Sequence, residues 1–167
     1  MRNRAKIFSY SFGLSLVLWL AASSAGSTSL STPSLSIAAR LPSVKSGQDI
    51  RVDVNVVNRS SAPAPLAVVN GKGNAEFGCD VALAREDGAP VTLTEYGRSL
   101  TGDGSLAVGF GKRLINLQPG QTYSDYLLLN RIYNVNQPGV YTMRIQRKSP
   151  ADPSAATASN TIKIVVR

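Results

Sequence analysis

Apolar and polar residues alternate along most of the chain beyond residue 35. In the segment Ile50–Val56 every second residue is β-branched and apolar, and the residues between them are polar. Successive side chains of a strand point to opposite faces, so this pattern predicts a strand with one face on a core and the other in water. Similar alternation or short apolar runs predict further strands in segments 35–39, 66–69, 81–84, 91–93, 114–117, 123–129, 141–145 and 162–166.

Tight-turn residues separate the predicted strands. Asn70-Gly71 and Asp87-Gly88 are typical of hairpin turns, because Asn, Asp and Gly tolerate positive φ angles. Pro119-Gly120 and Pro138-Gly139 fit type II turns, with proline at the second position and glycine at the third. We expect residues 149–159 to form a long loop. Many short strands between such turns, with no convincing amphipathic helix, indicate a β-sandwich or a β-barrel.

The N-terminus has the three parts of a secretory signal peptide. Three basic residues within the first six precede the apolar run Ile7–Ala22, and Ser23 and Ala25 then fit the small-x-small rule for cleavage after Ala25. The alternative is a membrane anchor, but the run is shorter than the roughly 20 apolar residues of a membrane span. We therefore predict a signal peptide at 1–25, a flexible lead-in at 26–34 and one domain at 35–167, exported to the periplasm or the extracellular space.

The chain is basic, with a formal net charge of +8. Removal of residues 1–25 takes away three basic residues, so 15 basic residues would face 10 acidic ones. Such a charge is expected to favour a weak attraction to anionic surfaces. The basic residues do not form a stripe interleaved with aromatic residues, which a nucleic-acid interface would need. Nucleic acid is therefore not an expected partner.

Cys79 is the only cysteine of the chain. An intramolecular disulfide is therefore excluded, although exported proteins meet oxidising conditions. The expected mature chain is long enough to bury a core that holds the fold without such a staple. Two states of Cys79 remain open, namely burial in the protein and an intermolecular bond; burial is the common state of a free cysteine.

Two proline-glycine elements near the C-terminus carry a family resemblance. The segments Leu117–Gln121 and Asn136–Thr142 resemble the late strands of bacterial immunoglobulin-like domains. The resemblance implies an immunoglobulin-like antiparallel β-sandwich of about 7–9 strands without a disulfide. Pro119, Gly120, Pro138 and Gly139 would then be structural turn residues. Tyr141 would form a tyrosine corner, with its ring packed inward and its hydroxyl bonded to the backbone.

Two departures separate the chain from antibody-type domains. Met143 occupies the position where those domains carry their second disulfide cysteine, and the only tryptophan, Trp19, lies in the predicted signal peptide. A second resemblance is weaker. The segment Asp80–Val91 and the later proline-glycine elements are similar in layout to the bacterial intracellular proteinase inhibitor family, also a β-sandwich. This similarity implies an alternative function as an exported proteinase inhibitor, with no inhibitory residue transferred by position.

The composition excludes the commonest catalytic groups. The chain has no histidine, which removes the usual general base near neutral pH and the commonest transition-metal ligand. One cysteine cannot build a zinc site, and no Ser-x-x-Lys tetrad follows the predicted cleavage site. We therefore expect no enzymatic activity, no cofactor and no metal.

Two predicted loops are the candidates for binding, because sandwich domains often bind through their end loops. The first, Asn70–Gly78, carries Lys72, Asn74 and Phe77, and the second, Tyr96–Gly104, carries Tyr96, Arg98 and Leu100. Aromatic and arginine side chains favour interface anchors. The alternatives are that Phe77 and Tyr96 pack into the core while Arg98 is solvated, or that binding uses a strand edge.

The sequence therefore predicts a non-enzymatic exported protein-interaction module whose partner is another protein. Besides the inhibitor function, an alternative is a structural accessory subunit of an envelope assembly. The motifs specify the fold more closely than they specify any activity.

Overall fold

The computed structural model is an all-β sandwich, and it describes residues 34–102, 104, 111–150, 154 and 156–167. The predicted signal peptide and residues 26–33 of the predicted lead-in lie outside the described residues. Ser34 already belongs to the first strand. The described strands are β1 (Ser34–Ala39), β2 (Ser43–Val44), β3 (Arg51–Val57), β4 (Ala64–Val69), β5 (Asp80–Arg85), β6 (Lys112–Leu117), β7 (Thr122–Leu128), β8 (Gly139–Lys148), β9 (Ala156–Ala158) and β10 (Ile162–Val166).

Three short helical segments interrupt the strands in the described part of the chain. They are a 3₁₀ helix (Ala75–Gly78), α1 (Glu95–Thr101) and α2 (Leu129–Ile132). The prediction of a strand at 91–93 is wrong, because Leu93 forms only an isolated bridge with Tyr133 before α1 begins. The prediction of an uninterrupted loop at 149–159 is also wrong, because β9 lies within it and pairs with β8.

The described strands form three sheets. The first has the order β1-β3-β7, the second has the order β2-β10-β8-β5 with β9 paired to β8, and the third is β4-β6. The pairs are antiparallel, as predicted, with the exception of the short parallel pair of β2 with β10. Because few neighbouring strands are consecutive in sequence, the turns mainly carry the chain from one sheet to another.

One hydrophobic core joins the three sheets. Val52, Val54 and Val56 of β3 are 0–2% exposed, and the residues between them are half-buried, which confirms the predicted alternation. Burying a side chain of this size stabilises the fold by about 1.5–3 kcal/mol. The other sheets contribute Leu66, Val68, Leu117, Met143, Ile145, Ile164 and Val166.

The Pro119-Gly120 turn lies against a buried asparagine at the end of β3. Gly120 has φ +77, and the Gln121 amide donates to the Gln118 carbonyl at 2.9 Å, as a type II turn requires. The Gly120 amide donates to the Asn58 carbonyl at 2.7 Å, and Asn58 Nδ2 donates to the Leu117 carbonyl at 2.8 Å. Asn58 is fully buried, and its hydrogen bonds fix the exit of β3 against the turn between β6 and β7.

The Pro138-Gly139 element differs from the predicted type II turn. Gly139 has φ +157, far from the roughly +80 of that turn, because it already begins the extended β8. Tyr141 makes the contact that the resemblance implies. Its ring is 1% exposed, and its hydroxyl donates to the Gln137 carbonyl at 2.8 Å. The tyrosine therefore fixes the entry of β8 to the preceding segment.

The two predicted hairpin pairs do not connect paired strands. Gly71 and Gly88 have φ angles of +88 and +75, so both adopt the left-handed conformation that suggested them. However, β4 pairs with β6, and β5 pairs with β8. The prediction of hairpins is wrong because a pair of turn residues specifies a local reversal and not the sheet in which the next strand lies.

Cys79 is a free, half-buried cysteine directly before β5. Burial raises the pKa of its thiol, and Arg147 opposes that rise. Of the two states of Cys79 that the sequence left open, the structure shows partial burial. Within the part of the chain that the structure describes, no helix is long and apolar enough to cross a membrane.

Candidate functional site

The second predicted loop is a helix over most of its length. α1 follows Thr94, whose hydroxyl accepts a hydrogen bond from the Gly97 amide at 2.9 Å, and it ends at Gly102, which has φ +87. Threonine before the first turn and glycine after the last are ordinary helix-end signals. The prediction of a loop at Tyr96–Gly104 is therefore wrong for Tyr96, Arg98 and Leu100, which all lie on α1.

Gly97 explains both the position of α1 and the failure to predict it. A Cβ atom built on Gly97 would lie 2.1 Å from the Ile132 carbonyl oxygen at the end of α2. Only glycine allows the two backbones to approach this closely. A glycine inside a seven-residue segment lowers helix propensity and obscures the helical period, so the sequence pattern does not indicate a helix.

The two predicted binding segments meet in the structure. The rings of Phe77 and Tyr96 are 6.4 Å apart and nearly perpendicular, at 87°. This edge-to-face contact joins the 3₁₀ helix to α1, so one face of the protein contains both segments. We call the surface formed by residues 72–78 and α1 the helical face.

The candidate residues contribute differently to the helical face. Tyr96 packs against the hydrophobic core, as the alternative interpretation expected, whereas Phe77 is half-buried. Leu100 also packs against the core. Arg98 forms an ion pair with Glu95, and its side chain is 47% exposed. Lys72 is exposed, lies 4.8 Å from the centroid of the Tyr123 ring and donates to the Ser124 carbonyl. Asn74 Nδ2 makes a long contact of 3.4 Å with the Asn70 carbonyl.

A buried carboxyl group lies beneath the helical face. The Glu76 side chain is only 1% exposed, and its Oε1 accepts a 2.8 Å hydrogen bond from the Tyr96 hydroxyl. Its Oε2 atom is buried without a hydrogen-bond partner, alone in this respect among the side-chain nitrogen and oxygen atoms of the described residues. Such groups are rare in native proteins, because an unpartnered buried polar atom destabilises the fold.

Burial dominates the electrostatics of this pair. Desolvation raises the pKa of Glu76 above its ordinary value of 4.5, while its hydrogen bonds and the charge of Arg131 oppose the rise. The pKa of Tyr96 is also raised, first by burial and then by the hydrogen bond to Glu76. The Tyr96 hydroxyl therefore keeps its proton at neutral pH and donates a hydrogen bond to the Glu76 carboxyl group.

Arg131 is the cation nearest to Glu76 among the described residues, but it pairs weakly. Its Nη1 atom lies 3.7 Å from Glu76 Oε1, beyond the 2.7–3.2 Å of an N–H···O hydrogen bond. The guanidinium group stacks 4.6 Å from the Tyr96 ring centroid, and its side chain is 39% exposed. Arg131 therefore compensates the Glu76 charge only in part.

A second acidic residue, Asp125, lies on the inward face of β7 and is 7% exposed. Its Oδ1 accepts hydrogen bonds of 2.8 Å from the backbone amides of Gly73 and Tyr126. Its Oδ2 has a single long contact, 3.5 Å from the Tyr123 hydroxyl. Gly73 is required here, because its φ is +81 and a Cβ atom would lie 2.8 Å from the Tyr126 ring.

Both acidic residues line a cleft of about 720 Å³. This volume is within the roughly 300–1,000 Å³ that is usual for ligand pockets. The cleft extends from β3, β4 and β7 to β5, the 3₁₀ helix and α1. Its apolar lining includes Val54, Val56, Val68, Val81, Leu93, Leu100 and Ile132.

Arg147 occupies one wall of the cleft and is already engaged. Its guanidinium group donates to the Ala67 carbonyl and lies 3.6 Å from Cys79 Sγ. It also packs on Gly78, where a Cβ atom would lie 2.9 Å from Nη2. Lys112 and Lys148 also line the cleft, and both are exposed residues. The cleft therefore combines apolar walls, two buried carboxyl groups and cations with other contacts or solvent exposure.

The sequence analysis did not identify Glu76 or Asp125. The sequence contained a signal for Asp125. This residue lies two residues before Leu127 on β7, so both side chains point to the same, buried face of the strand, where an acidic residue is unusual. The sequence contained no such signal for Glu76, because a charged residue after a glycine-rich loop is normally solvated. Its burial depends on the 3₁₀ helix and on Tyr96, which lies 20 residues away in the sequence.

No known protein-family model matches this sequence, and no curated protein is significantly similar to it. The class of protein that the fold defines is an all-β sandwich without a disulfide. The resemblances to bacterial immunoglobulin-like domains and to proteinase inhibitors therefore stay predictions.

Proposed function

We propose that this chain is an exported, non-enzymatic module that binds another protein through the helical face and the cleft beneath it. The observation that carries the proposal is the contact between Phe77 and Tyr96, which brings two separate candidate segments to the rim of one cleft. A rim with aromatic and arginine side chains around a concave apolar centre is typical of interaction sites.

The charge and rigidity of the helical face support a role in binding. Lys72 and Arg98 are exposed on it, and the capped α1 and the bonded Gly73 hold its backbone in place. A rigid surface loses little conformational entropy when a partner docks. The export part of the proposal rests on the N-terminal sequence alone.

Site-specific photo-crosslinking in cells that produce the full chain tests this function. A photoreactive amino acid is placed at Lys72 or Arg98 on the helical face. The control positions are Glu86 and Lys163, which are exposed and form an ion pair with each other at 2.5 Å. We expect a discrete crosslinked adduct from positions 72 and 98 and none from positions 86 and 163.

Two results would contradict the proposal. Adducts of equal yield at all four positions, or at none, would show that the helical face has no preferred partner. A turnover activity of the purified protein that one substitution abolishes would show an enzyme instead. If the adduct contains a protease, titration of that protease with the purified protein distinguishes stoichiometric inhibition from binding alone.

A further inference from the structure

One residue that lines the cleft has a buried hydrogen-bond acceptor that the described residues do not fill. Glu76 Oε1 receives the Tyr96 hydroxyl, whereas the buried Glu76 Oε2 has no partner within the described part of the chain. Leaving such an atom unpartnered is unfavourable, and more so for a charged group. The arrangement is therefore suited to a ligand that brings a hydrogen-bond donor into the cleft.

The second carboxyl group has the same asymmetry. Asp125 Oδ1 accepts hydrogen bonds from two backbone amides, and the one contact of its Oδ2 with another described residue is the 3.5 Å contact with Tyr123. The two buried carboxyl groups of the lining, Glu76 and Asp125, thus each have one well-bonded oxygen and one that is poorly bonded. A ligand group that donates hydrogen bonds suits such an oxygen, and a positive charge would add an attraction to a carboxylate.

The cations in and near the cleft have other contacts or are exposed. Arg131, which is not part of the lining, lies 3.7 Å from the already bonded Oε1 and stacks on Tyr96. In the lining, Arg147 is bonded to the Ala67 carbonyl, and Lys112 and Lys148 are exposed. Apolar residues of β3, β4, β5 and α1 are part of the remaining lining. A ligand that complements the cleft would therefore have a compact cation for the carboxyl oxygens and an apolar stem for the walls.

We infer that the cleft binds a primary ammonium group on a short alkyl stem, with the nitrogen at Glu76 Oε2 and the stem along the apolar walls. An ammonium group is compact and offers three donors from one atom, whereas a guanidinium group is a larger planar fork. In a protein partner the group is a lysine side chain, and this identification rests on the proposed function. A free alkylamine carries the same chemistry.

Titration of the protein with n-butylamine tests the inference directly. The signal is the side-chain carboxyl carbon of Glu76, followed by NMR in protein labelled with ¹³C at glutamate. The probe n-butanol has the same stem without the charge, and it serves as the control ligand. We expect a saturable shift of the Glu76 signal with n-butylamine and at least about tenfold weaker binding of n-butanol, equivalent to about 1.4 kcal/mol.

Matched variants place the ammonium group at Glu76. Glu76→Gln removes the carboxylate, and Glu86→Gln removes an equal charge from the exposed pair with Lys163. We expect at least about tenfold weaker n-butylamine binding for the first variant and unchanged binding for the second. If Glu76→Gln does not fold, the Glu76 signal of the unaltered protein still decides the outcome.

Three results would overturn the inference. They are the absence of a saturable shift at Glu76, equal binding of n-butanol and n-butylamine, and equal n-butylamine binding by Glu76→Gln and the unaltered protein. The first would mean that only water fills the position, and the second would mean that the cleft takes apolar stems without regard to charge.

A lysine peptide and its Nε-acetylated form identify the source of the ammonium group. Tighter binding of the unmodified peptide than of n-butylamine supports a protein lysine, and equal binding supports a free amine. The crosslinking result is independent of these titrations. Amine binding without crosslinks from the helical face would contradict the proposed function alone, and crosslinks without amine binding would contradict this inference alone.

Discussion

The Tyr96 hydroxyl donates a 2.8 Å hydrogen bond to Glu76 Oε1, and this bond connects α1 to the 3₁₀ helix through a buried carboxyl group. The same tyrosine ring contacts Phe77 and receives the Arg131 guanidinium on its face. One side chain therefore holds together the two segments of the helical face and supplies the donor that Glu76 has.

Replacing Tyr96 with phenylalanine tests the contribution of this hydrogen bond. The ring contacts with Phe77 and Arg131 are retained, but Glu76 loses its donor. We expect the free energy of unfolding in urea to fall by about 1–3 kcal/mol, the usual effect of leaving a buried acceptor unpartnered.

The control for this experiment is Tyr126→Phe. Tyr126 stacks with Arg51, at 3.9 Å from the ring centroid, and that contact uses the ring rather than the hydroxyl. We expect a change within about 0.5 kcal/mol, because the ring contacts with Arg51 and Gly73 are retained. Equal losses for the two variants would show that the bond between Tyr96 and Glu76 has no particular stabilising effect.

The raised pKa of Glu76 predicts how stability depends on pH. The folded protein holds this proton at pH values where the unfolded chain, with a pKa near 4.5, has lost it. This contribution is therefore fully present below pH 4.5 and is lost as the pH rises through the folded pKa. Urea unfolding at a series of pH values above 4.5 measures the decline.

The variants Glu76→Gln and Glu86→Gln assign that decline to one carboxyl group. Glutamine cannot ionise, so the fall in unfolding free energy above pH 4.5 should be smaller in Glu76→Gln than in the unaltered protein. Glu86→Gln removes an exposed carboxylate and should leave the slope unchanged. A slope that is the same in all three proteins would contradict the assignment.

The main strands and one turn could be predicted from the sequence, and the helical face could not. The alternation around Val52, Val54 and Val56 reports a local property, because period-two burial is fixed by backbone geometry alone. The turn at Gly120 is local in the same way. By contrast, α1 is short and contains Gly97. The reason for a glycine at this position is its close approach to the Ile132 carbonyl, which is visible only in the structure.

The chemistry of the cleft depends on contacts between segments distant in sequence. Glu76 is buried by elements that the chain reaches later, and Asp125 meets Gly73 across 52 positions. Sequence spacing carries no information about such meetings without an alignment of relatives. Of the candidate residues, Tyr96 contacts the buried carboxyl group that sequence analysis missed, and Phe77 contacts the Tyr96 ring.

Replacing Gly97 with alanine tests the close approach of α1 to α2. The added Cβ would lie 2.1 Å from the Ile132 carbonyl oxygen, so one of the helices must shift. We expect a loss of about 1–3 kcal/mol in the free energy of unfolding, which is typical of overpacking. Gly111→Ala is the control, because a Cβ atom at Gly111 would have no atom of the other described residues within 4 Å. A loss no larger than that of the control would contradict the helix contact.

Removal of residues 1–25 has a spectroscopic consequence, because Trp19 is the only tryptophan of the chain. Protein recovered after export should begin at Gly26 by intact mass and should show tyrosine emission without tryptophan emission. Ala25→Leu places a large residue at the cleavage position and should preserve the tryptophan signal in the recovered protein. Ser24→Leu adds the same side chain at the neighbouring position, where the small-x-small rule tolerates it, and should be cleaved normally. Tryptophan emission from the unaltered protein after export would contradict the predicted cleavage and favour the membrane anchor.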